Sequence, residues 1–279
     1  MPLQFPDIPF PTLDSAGITS LPIIDPSKAR SLAQTWLSSF ATACSNADTQ
    51  AVLDLLHPTT PFWRDTLALT WDFRTLFVPS KIEALLDARL NDTKLSNFVL
   101  NETYTAFQQP FPDLAWVNLM FNFQTNIGKC TGVVKLVPLL KQQTTDGGGA
   151  IKRLEDLEWK AYVVYTNLDS LLDYPEKIRS LRDLEPAHID WATDREEAQE
   201  FAGADEDKTK SPKVLLIGAG QSGLMIAARL KALNVSSLVI DKNERIGDNW
   251  RGRYDSLSLH DPVCKSLDLQ RHCSSYVFR

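Results

Sequence analysis

The densest cluster of chemistry-bearing residues in this chain is Gly218-Ala219-Gly220-Gln221-Ser222-Gly223, with Asp241 placed 18 residues beyond the last glycine. Glycine at these three positions serves three purposes. Gly218 lets the backbone turn sharply, Gly220 lets a pyrophosphate reach the backbone, and Gly223 lets a helix pack close to a sheet. Phosphates then meet the first turn of that helix, where open N–H groups and the dipole favour negative charge. Asp241 is suited to accept hydrogen bonds from a ribose diol, and its carboxylate would repel a 2′-phosphate. The chemistry indicated is binding of FAD or NAD, with NADP disfavoured at this site.

A G-x-G-x-x-G string alone is weak evidence, so the elements around it matter. Val214–Ile217 is a continuous apolar run, expected to be a parallel strand buried on both faces. Leu224, Ala227, Ala228, Leu230 and Leu233 repeat at helical spacing, and Asn234 is suited to stop the helix. Ser237–Ile240 is a second strand, ending at Asp241. Strand, glycine turn, helix, strand and acid together predict a Rossmann-like βαβ unit.

Other chemistry is sparse. Cys44, Cys130, Cys264 and Cys273 form no CxxC pair, so they read as buried or incidental thiols and no metal site is expected. Trp63, Asp65, Trp71, Asp72 and Arg74 could line a pocket. The plainer expectation is that Arg64–Asp65 and Asp72–Arg74 are ion pairs and capping groups beside core tryptophans, because no His–carboxylate pair is visible as an acid–base system.

The 279 residues suggest two domains, or one large one. A net charge of −6 without a basic run speaks against nucleic acid or an anionic membrane as main partner. The N-terminus has no secretory pattern and no apolar run is long enough for a membrane helix, so a cytoplasmic, reduced protein is expected.

Residues 1–25, with five prolines, read as an extended arm that either packs on something or stays loose. Residues 26–175 read as an α+β domain. Asp25-Pro26 starts a helix ending near Asn46, Asp48 starts a second, and Ser80–Leu90 forms a third. Alternation in AWVNLMFNFQTN, TGVVKLVPLL and LEWKAYVVYTNL then predicts antiparallel strands, with the loop KQQTTDGGGA between the last two. Helices before strands predict helices packed on one face of a curved antiparallel sheet. Residues 176–211 read as a polar, acidic linker with a helix around Trp191–Phe201. Residues 212–279 hold the βαβ unit.

Beyond the glycine turn, Ile246-Gly247-Asp248-Asn249-Trp250-Arg251, Tyr254 and Leu257-Ser258-Leu259-His260-Asp261-Pro262 complete a pattern. It resembles the flavin-containing monooxygenases, closest to their fungal and YUCCA-like branch, over about residues 212–262. The resemblance implies that this opening binds FAD. It carries cofactor contact to Gly218, Ala219, Gly220, Gln221, Ser222, Gly223, Asp241, Lys242, Trp250, Arg251 and His260. In the complete family NADPH is the co-substrate, and one oxygen of O₂ passes to nitrogen, sulfur, a ketone or a 2-oxo acid on a small-molecule substrate. Asp248 stands where many members have a second glycine, and after Val263 the family's continuation is absent. The expectation is a Rossmann-like unit that is incomplete, lacks the NADPH motif, and holds FAD weakly or not at all when expressed alone. No catalytic residue is assigned.

The N-terminal part is similar to the SnoaL-like, nuclear-transport-factor-like cone, with Phe62–Asp65 and Leu69–Thr75 matching a segment that fungal monooxygenases of this group carry. This leaves an alternative from another class: a non-enzymatic ligand-binding or dimerisation module, with a second copy of the chain as partner. A small isomerase or dehydratase would need a paired acid and base.

Overall fold

A computed structural model describes residues 10–141, 154–177, 211–245, 247–253 and 255–256. The chain divides into two compact units, Met1–Asp173 and Tyr174–Arg279. The loop after Lys141, the helix expected around Trp191–Phe201 and most of the acidic linker lie outside the described residues, as do Tyr254, His260, Cys264 and Cys273.

The first unit begins with α1 (Pro26–Ser45), capped by Asp25, whose carboxylate accepts the Lys28 N–H at 2.9 Å. Proline in the first helical turn needs no N–H partner there, so the Asp-Pro start forms as read. Asp48 likewise caps the short α2 (Thr49–Leu53), accepting from the Ala51 N–H at 3.0 Å. The strands β1 (Phe62–Thr66) and β2 (Phe73–Phe77) precede α3 (Pro79–Thr93). They are followed by β3 (Ser96–Phe111), β4 (Leu114–Gln124), β5 (Gly128–Leu140) and β6 (Leu157–Leu171).

These form one six-stranded sheet in the order β2-β1-β6-β5-β4-β3. It is antiparallel except where β1 runs parallel to β6, with Asp65 opposite Thr166. The sheet is therefore mixed, a refinement of the antiparallel expectation. The β3–β4 ladder is interrupted between Ser96/Val99, Asn101/Ala106 and Gln108/Phe111, and such bulges bend and twist a strand.

The buried stripe of α1 includes Ala33, Trp36, Leu37 and Phe40, and it lies over the inward residues of β4, Val117, Leu119, Phe121 and Phe123. Phe40 is the hub. Its ring lies 4.9 Å from Trp36, 5.7 Å from Phe98, 6.0 Å from Phe121 and 6.1 Å from Trp63. Stacked and edge-on aromatics at these distances fill the space between helix and sheet.

The N-terminal arm is not loose where it is described. Leu13 is 3% exposed and Ile18 1%, both within the main core. The Leu13 N–H donates to the Asp113 carbonyl at 2.6 Å, and Gly17 at φ +71° makes the turn between them. Of the two expectations for the arm, packing holds here, and which residues dock was not legible because two apolar residues five apart in a turn have no period to detect.

The second unit contains β7 (Val214–Ile217), α4 (Gln221–Ala232), β8 (Ser237–Ile240) and the single turn α5 (Asp248–Arg251). The strands β7 and β8 are parallel, with Leu216 opposite Val239. Ala219, Ala227 and Val239, with Leu216 and Leu224, make its small core. Asn234 takes φ +57° just past the helix, a left-handed stop as its residue type predicts.

One expectation fails here. The run Val214–Ile217 is not buried on both faces: Leu215 is 56% exposed and Ile217 83%. Among the described residues β7 has one strand neighbour and α4 covers one face only, so alternate residues are left open.

Candidate functional site

The glycine turn has the geometry its sequence requires. Gly218 sits at φ +107°, a backbone region that side chains strongly disfavour, and its N–H donates to the Ile240 carbonyl at 2.7 Å. A Cβ on Gly223 would lie 1.9 Å from the Gly218 carbonyl oxygen, so only glycine lets α4 start this close to the strand end. A Cβ on Gly220 would meet only the Asn249 side-chain amide, 2.7 Å away. Gly220 is the N-cap of α4, and among the described residues no side chain caps that helix end. Its first N–H groups are thus left for a ligand.

These groups open onto a cavity of about 410 Å³, lined in part by Gly218, Gly220, Gln221, Ser222 and Gly223. Ile217, Asn249, Trp250 and Arg253 complete the lining. The volume is of the size that holds part of a dinucleotide.

Asp241 stands at the end of β8, but its carboxylate is already engaged. Oδ2 accepts the Ala219 N–H at 2.6 Å, while Oδ1 accepts the Asn243 N–H at 2.8 Å and its side-chain amide at 2.7 Å. A carboxylate has about four acceptor positions, so one on Oδ2 remains for a ribose hydroxyl. The bonds from Ala219 and then Asn243 hold its carboxyl below the ordinary 3.8. Asp241 therefore also ties the glycine turn to the second strand, which the sequence reading did not anticipate.

The structure brings together Gly218, Gly220, Gln221, Ser222, Gly223 and Trp250 around one cavity. Ala219 is buried behind it and acts through its N–H to Asp241. Arg251 is not among the lining residues; its guanidinium donates to Asp248 at 2.7 Å. Lys242 is exposed beside Asp241 and does not line the cavity either. His260 lies outside the described residues. Asn249 and Arg253 were missed. The W-R-G-R spacing alone does not tell which arginine faces the turn.

In the first unit, the five candidate pocket residues separate. Asp65 is fully buried and accepts the Leu69 N–H at 3.1 Å, the Thr70 N–H at 3.1 Å and the Thr166 hydroxyl at 2.6 Å. Thr166 in turn accepts the indole N–H of Trp63 at 3.1 Å. Asp65 thus fastens the turn after β1 and is not paired with Arg64, which instead bonds the Thr75 hydroxyl. Asp72 and Arg74 do pair, at 3.2 Å on the surface, and Trp71 is 68% exposed and so is no core anchor. The structure assembles no acid–base pair from these five, and aromatic rings occupy the space under α1.

Among the described residues no group of three or more His, Cys, Asp and Glu could hold a metal ion. No helix among them is long and apolar enough to cross a membrane. Burial pushes the Cys44 thiol up, and burial with the nearby Asp169 and Asp65 charges pushes Cys130 up to about 12.

The fold defines a Rossmann-like βαβ unit that follows an α+β domain of helices on a mixed sheet. Residues 216–264 match the NAD(P)-binding Rossmann-like domain family. An uncharacterized CzcO-like oxidoreductase of Geobacillus kaustophilus is 51% identical over 49 residues, 18% of this chain and 14% of that protein. An uncharacterized monooxygenase y4iD of Sinorhizobium fredii is 37% identical over 81 residues, 28% of this chain and 11% of that one. Indole-3-pyruvate monooxygenase YUCCA1 of rice is 41% identical over 56 residues, 20% of this chain and 14% of that one. This part of the chain is related to oxidoreductases and monooxygenases, as its resemblance to the flavin-containing monooxygenases implied, and it spans only 11–14% of these relatives' lengths. Among solved structures, a putative dehydratase of the NTF2-like family from Streptomyces avermitilis is 14% identical with a TM-score of 0.34. It covers 52% of this chain and 99% of that one.

Proposed function

We propose that the second unit holds the diphosphate and ribose of FAD, in the manner of an NADPH-using, monooxygenase-like oxidoreductase acting on a small organic molecule. The observation that carries this reading is the uncapped N-terminus of α4 opening, past Gly220, onto a cavity beside an Asp241 that keeps one acceptor position. The residues present fit the group: a side chain at Gly220 would intrude on the cradle, and Gly223 brings the helix end within reach. Asp241 disfavours a ribose that carries a 2′-phosphate, which sets FAD or NAD above NADP here. The continuation Gly247 to Arg251 favours FAD of the two.

A bound flavin supplies redox chemistry and oxygen transfer; this chain's own residues bind it, orient it and exclude water. Gly218–Gly223 fix the phosphates, Asp241 fixes the ribose, and Trp250 walls the cavity. With Leu215 and Ile217 exposed, this unit is expected to hold FAD weakly. Titrating the purified chain with FAD, NAD and NADP tests the reading: FAD should bind best, and tighter binding of NADP than of FAD would overturn it.

A second reading keeps one observation in its favour. The first unit has its own continuous core from Leu13 to Val164, so it can stand as a separate module. With rings filling its interior, association with a second copy fits it better than ligand binding. Sedimentation of the first unit alone, giving a monomer at every concentration, would remove that reading.

A further inference from the structure

On the dinucleotide reading above, we propose that Arg253, with Asn249 beside it, supplies the countercharge to the ligand's diphosphate, and that Asp248 brings this about by engaging the two other arginines. Three arginines lie within nine positions, at 245, 251 and 253. Asp248 accepts from the Arg251 guanidinium at 2.7 Å and pairs with the Arg245 Nε at 3.5 Å. Its own side chain is only 22% exposed, so one half-buried carboxylate gathers both cations to the side of α5. Arg253 is different. Its backbone N–H closes the turn onto the Trp250 carbonyl at 3.1 Å, its side chain is exposed, and among the described residues its guanidinium has no carboxylate partner. Among the described residues it is the cation that lines the cavity with the glycine turn, and no acidic one of them lines that cavity.

The charge arithmetic requires such a group. A helix N-terminus offers the equivalent of roughly +0.5 charge, well short of a diphosphate's formal charge. A guanidinium adds a full charge and a planar fork that matches phosphate oxygens. Asn249 adds a neutral donor. Its Nδ2 lies 2.7 Å from where a Gly220 Cβ would be, so the amide reaches across the mouth of the cradle, space that the glycine leaves for it. A lysine or arginine at 249 would crowd that space, which is why the cation is better placed four residues on.

The test is a titration of the full chain with FAD, followed by flavin fluorescence, at low and raised salt. Arg253→Gln is expected to weaken binding by about tenfold or more, the loss of a charge-assisted contact, and to flatten the salt dependence. Arg253→Lys should recover part of it. Arg251→Gln should weaken binding less than Arg253→Gln. Arg229→Gln removes the same charge from the far end of α4, where Arg229 pairs with Glu176 at 3.0 Å, and serves as the control near wild-type. Wild-type affinity in Arg253→Gln, or a larger loss in Arg251→Gln, would overturn the assignment and leave the dinucleotide site standing. A wild-type chain that binds none of FAD, NAD and NADP would remove the site reading itself.

Discussion

Replacing Gly223 by alanine should unseat the glycine turn, whereas the same change at Gly220 should leave the fold intact and damage only ligand binding. The difference follows from what each new methyl group meets. At 223 it would sit 1.9 Å from the Gly218 carbonyl oxygen and 3.1 Å from its carbon, both main-chain atoms. Real contacts of this kind stay beyond 3.0 Å, so α4 and the turn must part by at least 1.1 Å, the difference of those two distances. Forced overpacking costs typically about 1–3 kcal/mol, and more when the obstacle is backbone. The core that must absorb it is only Ala219, Ala227 and Val239 with Leu216 and Leu224. At 220 the methyl group meets the end of the Asn249 side chain, which can swing away. Amide hydrogen exchange reads the outcome directly, because the Gly218 and Ala219 N–H groups bond Ile240 and Asp241 across the turn. In Gly223→Ala those two amides should lose most of their protection. In Gly220→Ala they should keep it while FAD affinity falls. Wild-type protection in Gly223→Ala would refute the close-packing argument.

Deleting residues 1–24, which spares the Asp25 cap of α1, removes Leu13 and Ile18 from the core of the first unit, and at about 1.5–3 kcal/mol for each buried side chain the loss should be about 3–6 kcal/mol. Urea unfolding followed by tryptophan fluorescence measures it, and an unchanged midpoint would mean the arm does not dock. Asp65→Ala leaves the Leu69 and Thr70 N–H groups without their acceptor, at roughly 1–3 kcal/mol each, and should destabilise the first unit while FAD binding by the second is untouched. Asp241 has its carboxyl lowered below 3.8, so its contribution to the turn is in place above that pH and disappears as pH falls through the folded value. The difference in Ala219 amide protection between wild type and Asp241→Asn should accordingly be present at neutral pH and vanish in acid; a difference that persists in acid would contradict that role.

The legible parts of this chain were those where one residue type does a job that few others can. Asp25-Pro26 started α1 as read, and Asn234 stopped α4 with a positive φ. The glycine turn landed on the end of a strand and the start of a helix because its three glycines permit nothing else so cheaply. The strands β4, β5 and β6 were visible because their inward residues alternate cleanly against the core. By contrast β3 hid behind its bulges, which break the period of two at three places, and it exposes most of its residues on the sheet edge. Strands β1 and β2 are five residues each, too short to show a period, and the parallel pairing of β1 with β6 joins segments a hundred residues apart. At the site, the choice between Arg251 and Arg253 depended on where Asp248 points, which spacing does not encode. Asp241 looked like a ligand group alone, and its second task of bonding Ala219 became visible only with the turn built.

The central claim is that the glycine turn of the second unit binds the phosphates of a dinucleotide. Two-dimensional amide NMR of the chain during addition of FAD tests it most directly. The account predicts the largest shifts at Gly220, Gln221, Ser222 and Gly223, with smaller ones at Ala219 and Arg253 and none at Asp65 or Thr166. Saturable shifts confined to the first unit, or no shifts in Gly218–Gly223 at millimolar FAD, would contradict it.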